Sequence, residues 1–155
     1  MLRAGHKAVH NVTWVATSSA VGNLEAIEAA LSWLTGGDVP ITKEKVRSYH
    51  GSRMVMLRAE ITHKKAARTA VSHLGADLLA TLAADQDLAE RIDQANTLHL
   101  RLDLGELVRG NIALSDGSDE EVKGRIKLEV YPGQNALENA RTLLSESAEQ
   151  ATRIA

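Results

Sequence analysis

The stretch "RMVMLRAEITH", Arg53–His63, decides the fold. Val55, Leu57, Ala59 and Ile61 fall on one side of an extended chain, and Met56, Arg58 and Glu60 on the other. Successive side chains of a strand point to opposite faces, so this pattern predicts a strand with one face in a core and one in water. A parallel sheet, covered on both faces, reads instead as a continuous apolar run. The stretch therefore predicts an α+β domain: a largely antiparallel sheet of about five to six strands, with helices packed on one face and the other face open.

Working outward, "ITKEKVRSYH" before it reads as a second strand joined through a turn at Gly51-Ser52. Val9–Ser18 alternates and is rich in β-branched residues, which predicts the first strand. "TLHLRLD", Thr97–Asp103, places Leu98, Leu100 and Leu102 inward and His99 and Arg101 outward. "LSDGSDEEVKGRIKLEVYP", Leu114–Pro132, reads as a hairpin around Asp116-Gly117. Its second strand buries Ile126, Leu128 and Val130 and turns Lys123, Arg125, Lys127 and Glu129 outward.

Helices fill the intervals. Asn23 is placed to cap a helix carrying Leu24, Ile27, Leu31 and Leu34, ended by "TGGDVP". Lys64–Leu82 reads as one long helix with Gly75 inside it. Asp87 and Glu90 have the spacing of a capping box for a short helix, and Leu104–Val108 reads as a short helical or irregular piece. Asn135 and Glu138 repeat the capping-box spacing before a last helix with Leu137, Ala140, Leu144, Ala148 and Ala151 inward.

A chain of 155 residues fits one domain, residues 1–155, and can bury a real core. Its 44% apolar and 25% charged content is that of a soluble globular protein. No apolar run is long enough for a membrane span, no apolar h-region marks the start, and cysteine is absent; the expectation is a cytoplasmic protein with no membrane partner. Net charge is −2, but unevenly spread. From Ile41 to Arg68 eight cations face two carboxylates, whereas from Ala76 to Asn96 five carboxylates face Arg91. A near-neutral total thus hides a basic and an acidic region.

Most catalytic and metal motifs fail. The six histidines have no thiolate partners, and the one pair four apart, His6 and His10, runs into the first strand instead of lying on a helix, so no zinc site and no cofactor are expected. Gly105 and Gly110 have phosphate-loop spacing, but Asn111-Ile112 stands where Lys-Ser/Thr is required. No dinucleotide fingerprint, KH clamp or nucleophile elbow is present. Asp116, Asp119, Glu120 and Glu121 do not follow the order of a calcium loop. The expectation is a protein that is not an enzyme.

The open sheet face carries the functional signal. Alternation assigns it Arg58, Glu60, His99, Arg101, Lys123, Arg125 and Lys127, with Lys45 and Arg47 expected to join from the second strand. Neighbouring cations add their fields and attract a polyanion. Aromatic residues are scarce (Trp14, Trp33, Tyr49, Tyr131), so an RNA ligand is expected to be held by backbone and shape more than by stacked bases.

Two blocks resemble an archaeal family described as RNA-binding and as a predicted exosome subunit. Tyr49-His50-Gly51-Ser52-Arg53 is similar to its aromatic-or-His, His, Gly, Asn, Pro run, with Ser52 and Arg53 departing from Asn-Pro. Leu114-Ser115-Asp116-Gly117, followed by a basic alternating strand ending in Tyr131-Pro132, is similar to its later block. The resemblance implies a fold like the ribosomal protein that holds 5S rRNA, and RNA contact without catalytic residues. The candidate RNA-binding residues are Lys45, Arg47, His50, Arg53, Arg58, Arg101, Lys123, Arg125 and Lys127. The expected partners are RNA, structured or double-stranded, and exosome subunits. Two further readings stay open: a protein-interaction module docking through residues 76–96, and a metal-dependent nuclease using the Asp116–Glu121 patch.

Overall fold

A computed structural model describes residues 9–19, 22–48, 50–117 and 120–154; His6, Tyr49 and Asp119 lie outside the described residues. The elements are β1 (Val9–Ser19), α1 (Leu24–Leu34), β2 (Ile41–Arg47), β3 (Arg53–Ile61), α2 (Lys64–Ser72), α3 (Ala76–Ala84), β4 (Thr97–Asp103), α4 (Leu104–Val108), β5 (Glu121–Leu128) and α5 (Ala136–Ile154). The five strands form one antiparallel sheet in the order β2-β3-β1-β5-β4, and the fold class is α+β as expected. The burial of β3 follows its sequence pattern: Val55, Leu57, Ala59 and Ile61 are buried, and Arg53 and Glu60 exposed.

The chain divides into two compact units, and β1, β3, β4 and β5 each contribute residues to both. The first holds residues 9–12, 61–100 and 125–154. Its core is helical: α3 and α2 pack on α5, burying Ala67, Val71, Leu79, Leu82, Leu143 and Leu144. The Asn135 carboxamide accepts from the Glu138 amide at 3.1 Å, the cap expected for α5. The second unit holds residues 13–60 and 101–124. There α1 packs on α4 and β2, and Trp14, Leu31, Leu34, Leu57, Leu102 and Leu107 are buried. The Asn23 side chain accepts from the Ala26 amide at 3.1 Å, so the expected α1 cap is present too.

Three elements differ from expectation. The helix expected over Lys64–Leu82 is two helices, because Gly75 adopts φ +93°, a conformation no helix interior allows. The capping box at Asp87 does not form: its side chain caps nothing, and Leu88–Arg91 is a single 3-10 turn. The hairpin expected from Leu114 is absent: Leu114 pairs with Leu102, and the Ser115 amide donates to the Arg101 carbonyl at 2.8 Å. Residues 113–115 thus lengthen the edge at β4 instead of pairing with β5.

Gly124 explains the one gap in the apolar face of β5. A Cβ at that position would lie inside contact distance of the Trp14 ring. The indole occupies the space that a side chain would need, a common reason for glycine within a strand.

Candidate nucleic-acid interface

The register of β2 against β3 sets the geometry of the basic hairpin. Lys43 lies opposite Leu57, Lys45 opposite Val55, and Arg47 opposite Arg53. Directly opposed residues of an antiparallel pair share a face. Val55 and Leu57 are buried, so Lys43, Lys45, Arg47 and Arg53 lie on the face that packs against helices. Lys43 confirms the assignment, since its Nζ donates to the Glu28 carboxylate of α1 at 2.8 Å. Arg58 lies opposite Thr42, on the other face. The expectation that Lys45 and Arg47 join Arg58 on the open face is therefore corrected. β2 is an edge strand, exposed along most of its length, so its helix-side row can carry cations without burying them.

These cations surround a cavity of about 610 Å³ lined by Lys45, Arg47 and Arg53 together with Leu24, Val46, Met54 and Val55. Among the described residues, no carboxylate joins that lining. Glu28 draws on Lys43, whose ammonium is raised above the usual lysine value by that hydrogen bond, and the three lining cations form no ion pair among the described residues. Arg47 Nη1 donates to the Gly51 carbonyl at 3.2 Å, which fixes the guanidinium beside the turn. The turn is closed by Ser48: its amide donates to the Ser52 carbonyl at 2.8 Å, and its hydroxyl accepts from the Ser52 amide at 3.0 Å. His50 is exposed in this turn.

On the open face the same unit holds Arg58, Arg101 and Lys123. β1 separates Arg58 from Lys123 and offers Thr13, Val15 and Thr17 between them, which carry no charge. Two strand spacings put the rows of β3 and β5 roughly 10 Å apart. Arg58 contacts Glu60 at 3.5 Å and the Met56 sulfur at 3.5 Å. Arg101 pairs with Glu121 at 3.1 Å. Glu121 is held below its ordinary carboxylate value, first by a hydrogen bond with Ser115 and then by Arg101, against the opposing effect of burial. Lys123 is exposed and has no ion pair among the described residues.

In the other unit, Arg125 is exposed on β5 without an ion pair among the described residues. Lys127 is tied to the Ala95 carbonyl through its ammonium. His99 contacts the Asp93 carboxylate at 2.7 Å, and this bond, with the Thr97 amide, lowers the Asp93 pKa. Glu129 departs from expectation: placed outward by alternation, it is only 4% exposed. β5 ends at Leu128, so the alternation stops one residue earlier. The Glu129 carboxylate takes the Lys64 ammonium on Oε2, with His10 Nδ1 at 3.4 Å, while Oε1 is buried without a hydrogen-bond donor among the described residues. Burial pushes its carboxyl up, but Lys64, the Tyr131 hydroxyl beside it and His10 outweigh that and leave it below the ordinary value. The only sequence signal near this cluster is Pro132, which foretells a strand end close by.

Two carboxylates of the acidic region are engaged locally: Asp85 reaches Arg91 at 3.8 Å, and Asp93 accepts from the Ala95 and Thr97 amides. Among the described residues, no three His, Asp or Glu side chains are grouped to hold a metal ion. Among those residues no helix is long and apolar enough to cross a membrane.

Known proteins agree with this architecture. The chain is similar to Mth689, a DUF54 protein from Methanothermobacter thermautotrophicus, at 24% identity and a TM-score of 0.73, over 88% of this chain and 98% of that one. AF2318 from Archaeglobus fulgidus, also of the DUF54 family, matches at 25% identity and a TM-score of 0.70, over 87% and 99%. A UPF0201 protein from Methanococcus jannaschii shares the fold at 7% identity and a TM-score of 0.58, over 86% and 98%. No curated protein matches the chain. The profile of a family described as RNA binding matches residues 11–130, more than half of the 155 residues, and the chain belongs to that RNA-binding family.

Proposed function

We propose that the protein is a non-catalytic RNA-binding protein that holds the sugar–phosphate backbone through cations left without carboxylate partners. The observation that carries this reading is the hairpin cavity, where Lys45, Arg47 and Arg53 converge with no carboxylate in the lining among the described residues. Arg47 and Arg53 stand directly opposite each other. Like charges so placed repel, and a phosphate between them turns that repulsion into attraction. Lys123 and Arg125 on β5, exposed and without ion pairs among the described residues, supply further backbone contacts.

Backbone recognition also follows from what the strands lack. The exposed large aromatic side chains among the described residues are Trp33 on α1 and Tyr131 beyond β5, neither on a strand. A stacking platform of the kind that reads single-stranded bases is therefore missing from the described strands. Structured RNA, read by shape and phosphate spacing, is the substrate class this favours. The resemblance to a predicted exosome subunit extends the proposal to a role beside the exosome, which nuclease-resistant co-purification with exosome subunits tests.

The binding test is a salt titration with the full chain and a structured RNA. Affinity is expected to fall steeply with salt, and Lys45→Glu, Arg47→Glu and Arg53→Glu together to weaken binding by roughly 100-fold or more without loss of the folded signal. Salt-independent binding, or full affinity in the triple variant, removes the hairpin from this role.

A further inference from the structure

The hairpin cavity differs from an open phosphate track in shape and in charge. Its volume of about 610 Å³ lies in the range of small-molecule sites, and it is bounded by the β2–β3 pair and by Leu24 at the start of α1. A duplex backbone passing over a strand face needs no such recess.

Charge separates two kinds of phosphate. An internal phosphodiester brings one negative charge and two free oxygens; a terminal monoester brings about two charges and three strong acceptor oxygens. Three cations line the recess, two of them arginines on directly opposed residues whose planar forks suit a multidentate anion. Lys43, the next cation of the same row, is already neutralised by Glu28, so the positive charge is concentrated at the closed end of the hairpin. Arg47 is held there by the Gly51 carbonyl. Apolar lining from Leu24 and Val55 offers an anion no competing hydrogen bonds and strengthens its attraction to the rim. Glu25, in the first turn of α1, offsets the dipole of that helix, so the side chains carry the site.

We propose that this cavity is the seat of a phosphate monoester at an RNA end, held by Lys45, Arg47 and Arg53. The inference rests on the RNA-binding reading above and narrows it from any backbone phosphate to a terminal one.

The test uses the full chain and one RNA sequence in three forms: 5′-phosphate, 3′-phosphate, and hydroxyl at both ends. Kd is measured at fixed salt for the wild type and for Arg53→Gln and Lys45→Gln, each checked for folding by thermal melt. One phosphorylated form is expected to bind about tenfold tighter than the hydroxyl form, and each substitution to remove most of that difference. The preferred form tells which end is held. Equal Kd for the three RNAs overturns the terminal-phosphate site and leaves the RNA-binding reading standing. A preference that survives both substitutions places the monoester elsewhere and also overturns it. No binding of any RNA overturns both readings.

Discussion

β2 and β5 carry almost the same message in sequence and opposite ones in structure. "KEKVR" and "VKGRIK" both place Lys or Arg at every second position. In β5 the alternate positions Val122, Gly124, Ile126 and Leu128 are buried, and the cations turn away from the core. In β2 the cations share a face with buried Val55 and Leu57, and no position of the strand itself is buried. A two-residue period says which residues share a face, and only the neighbours say which face that is. β5 lies between β1 and β4, so its phase is dictated by packing. β2 lies at the sheet edge, so its phase is dictated by the turn at Ser48–Ser52 and by the β3 register.

The largest expected effect tests the β5 half of this contrast. Gly124→Val forces a branched side chain into the volume of the Trp14 indole. Overpacking of this kind costs about 1–3 kcal/mol and more where a rigid ring must move. For a chain of this size a destabilisation of about 3 kcal/mol lowers Tm by roughly 6–12 °C. An unchanged melting temperature in Gly124→Val means that Gly124 does not face the core, and the outward row on β5 loses its basis.

The next comparison sets the two rows against each other. Lys45→Glu with Arg53→Glu is expected to weaken RNA binding by about 30- to 100-fold, because both cations line a recess without carboxylates among the described residues. Lys123→Glu with Arg125→Glu is expected to cost roughly tenfold, since these exposed cations act through more solvent. The salt slope is expected to fall by roughly two in both, close to one for each phosphate no longer held. If the β5 pair proves the more damaging, β5 rather than the hairpin is the principal RNA-binding strand.

Glu129, just past the end of β5, supplies a smaller effect that is read through pH. Glu129→Gln is expected to cost about 1–3 kcal/mol, as the Lys64 and His10 groups lose a buried partner. The Glu129 pKa is depressed on folding, so its contribution is present above the ordinary value of 4.5 and is lost as pH falls through the folded value. Lys64 is raised above 10.5, so its share is present below that value and is lost only in stronger base. Denaturant melts from pH 7 to pH 3 are expected to show a steeper decline in the wild type than in Glu129→Gln. Parallel curves sink the assignment.

The fold was legible wherever a period was backed by burial. Leu98, Leu100 and Leu102, and Ile27, Leu31 and Leu34, announce their elements because one face must leave water. The hairpin expected at Leu114 was not legible, since Asp116-Gly117 marks a turn without naming which strand follows it, and Leu114 found Leu102 instead. The candidate site was half legible. Its residue types, Lys45, Arg47 and Arg53, follow from charge density, but their face follows from a register that only the folded hairpin displays. Glu129 was out of reach because its burial depends on Lys64, 65 residues away in the chain.

Glu28 offers the smallest and most discriminating change. Lys43 belongs to the same β2 row as Lys45 and Arg47 and differs from them in having a carboxylate partner at 2.8 Å. The pair is about half exposed on both sides, so breaking it is expected to leave stability nearly unchanged. Its electrostatic consequence is the informative one. Glu28→Gln removes the anion that Lys43 faces and adds one unneutralised cation beside the hairpin recess. If partnerless cations are what bind RNA, breaking this ion pair should strengthen binding, by about two- to threefold at low salt, and the gain should shrink as salt rises. Mutating a carboxylate whose role is to hold Lys43 would then improve affinity while leaving the melting temperature nearly unchanged. Unaltered or weakened binding would mean that Lys43, and with it the helix-side row of β2, lies off the path of the RNA, which would return the weight of recognition to β5.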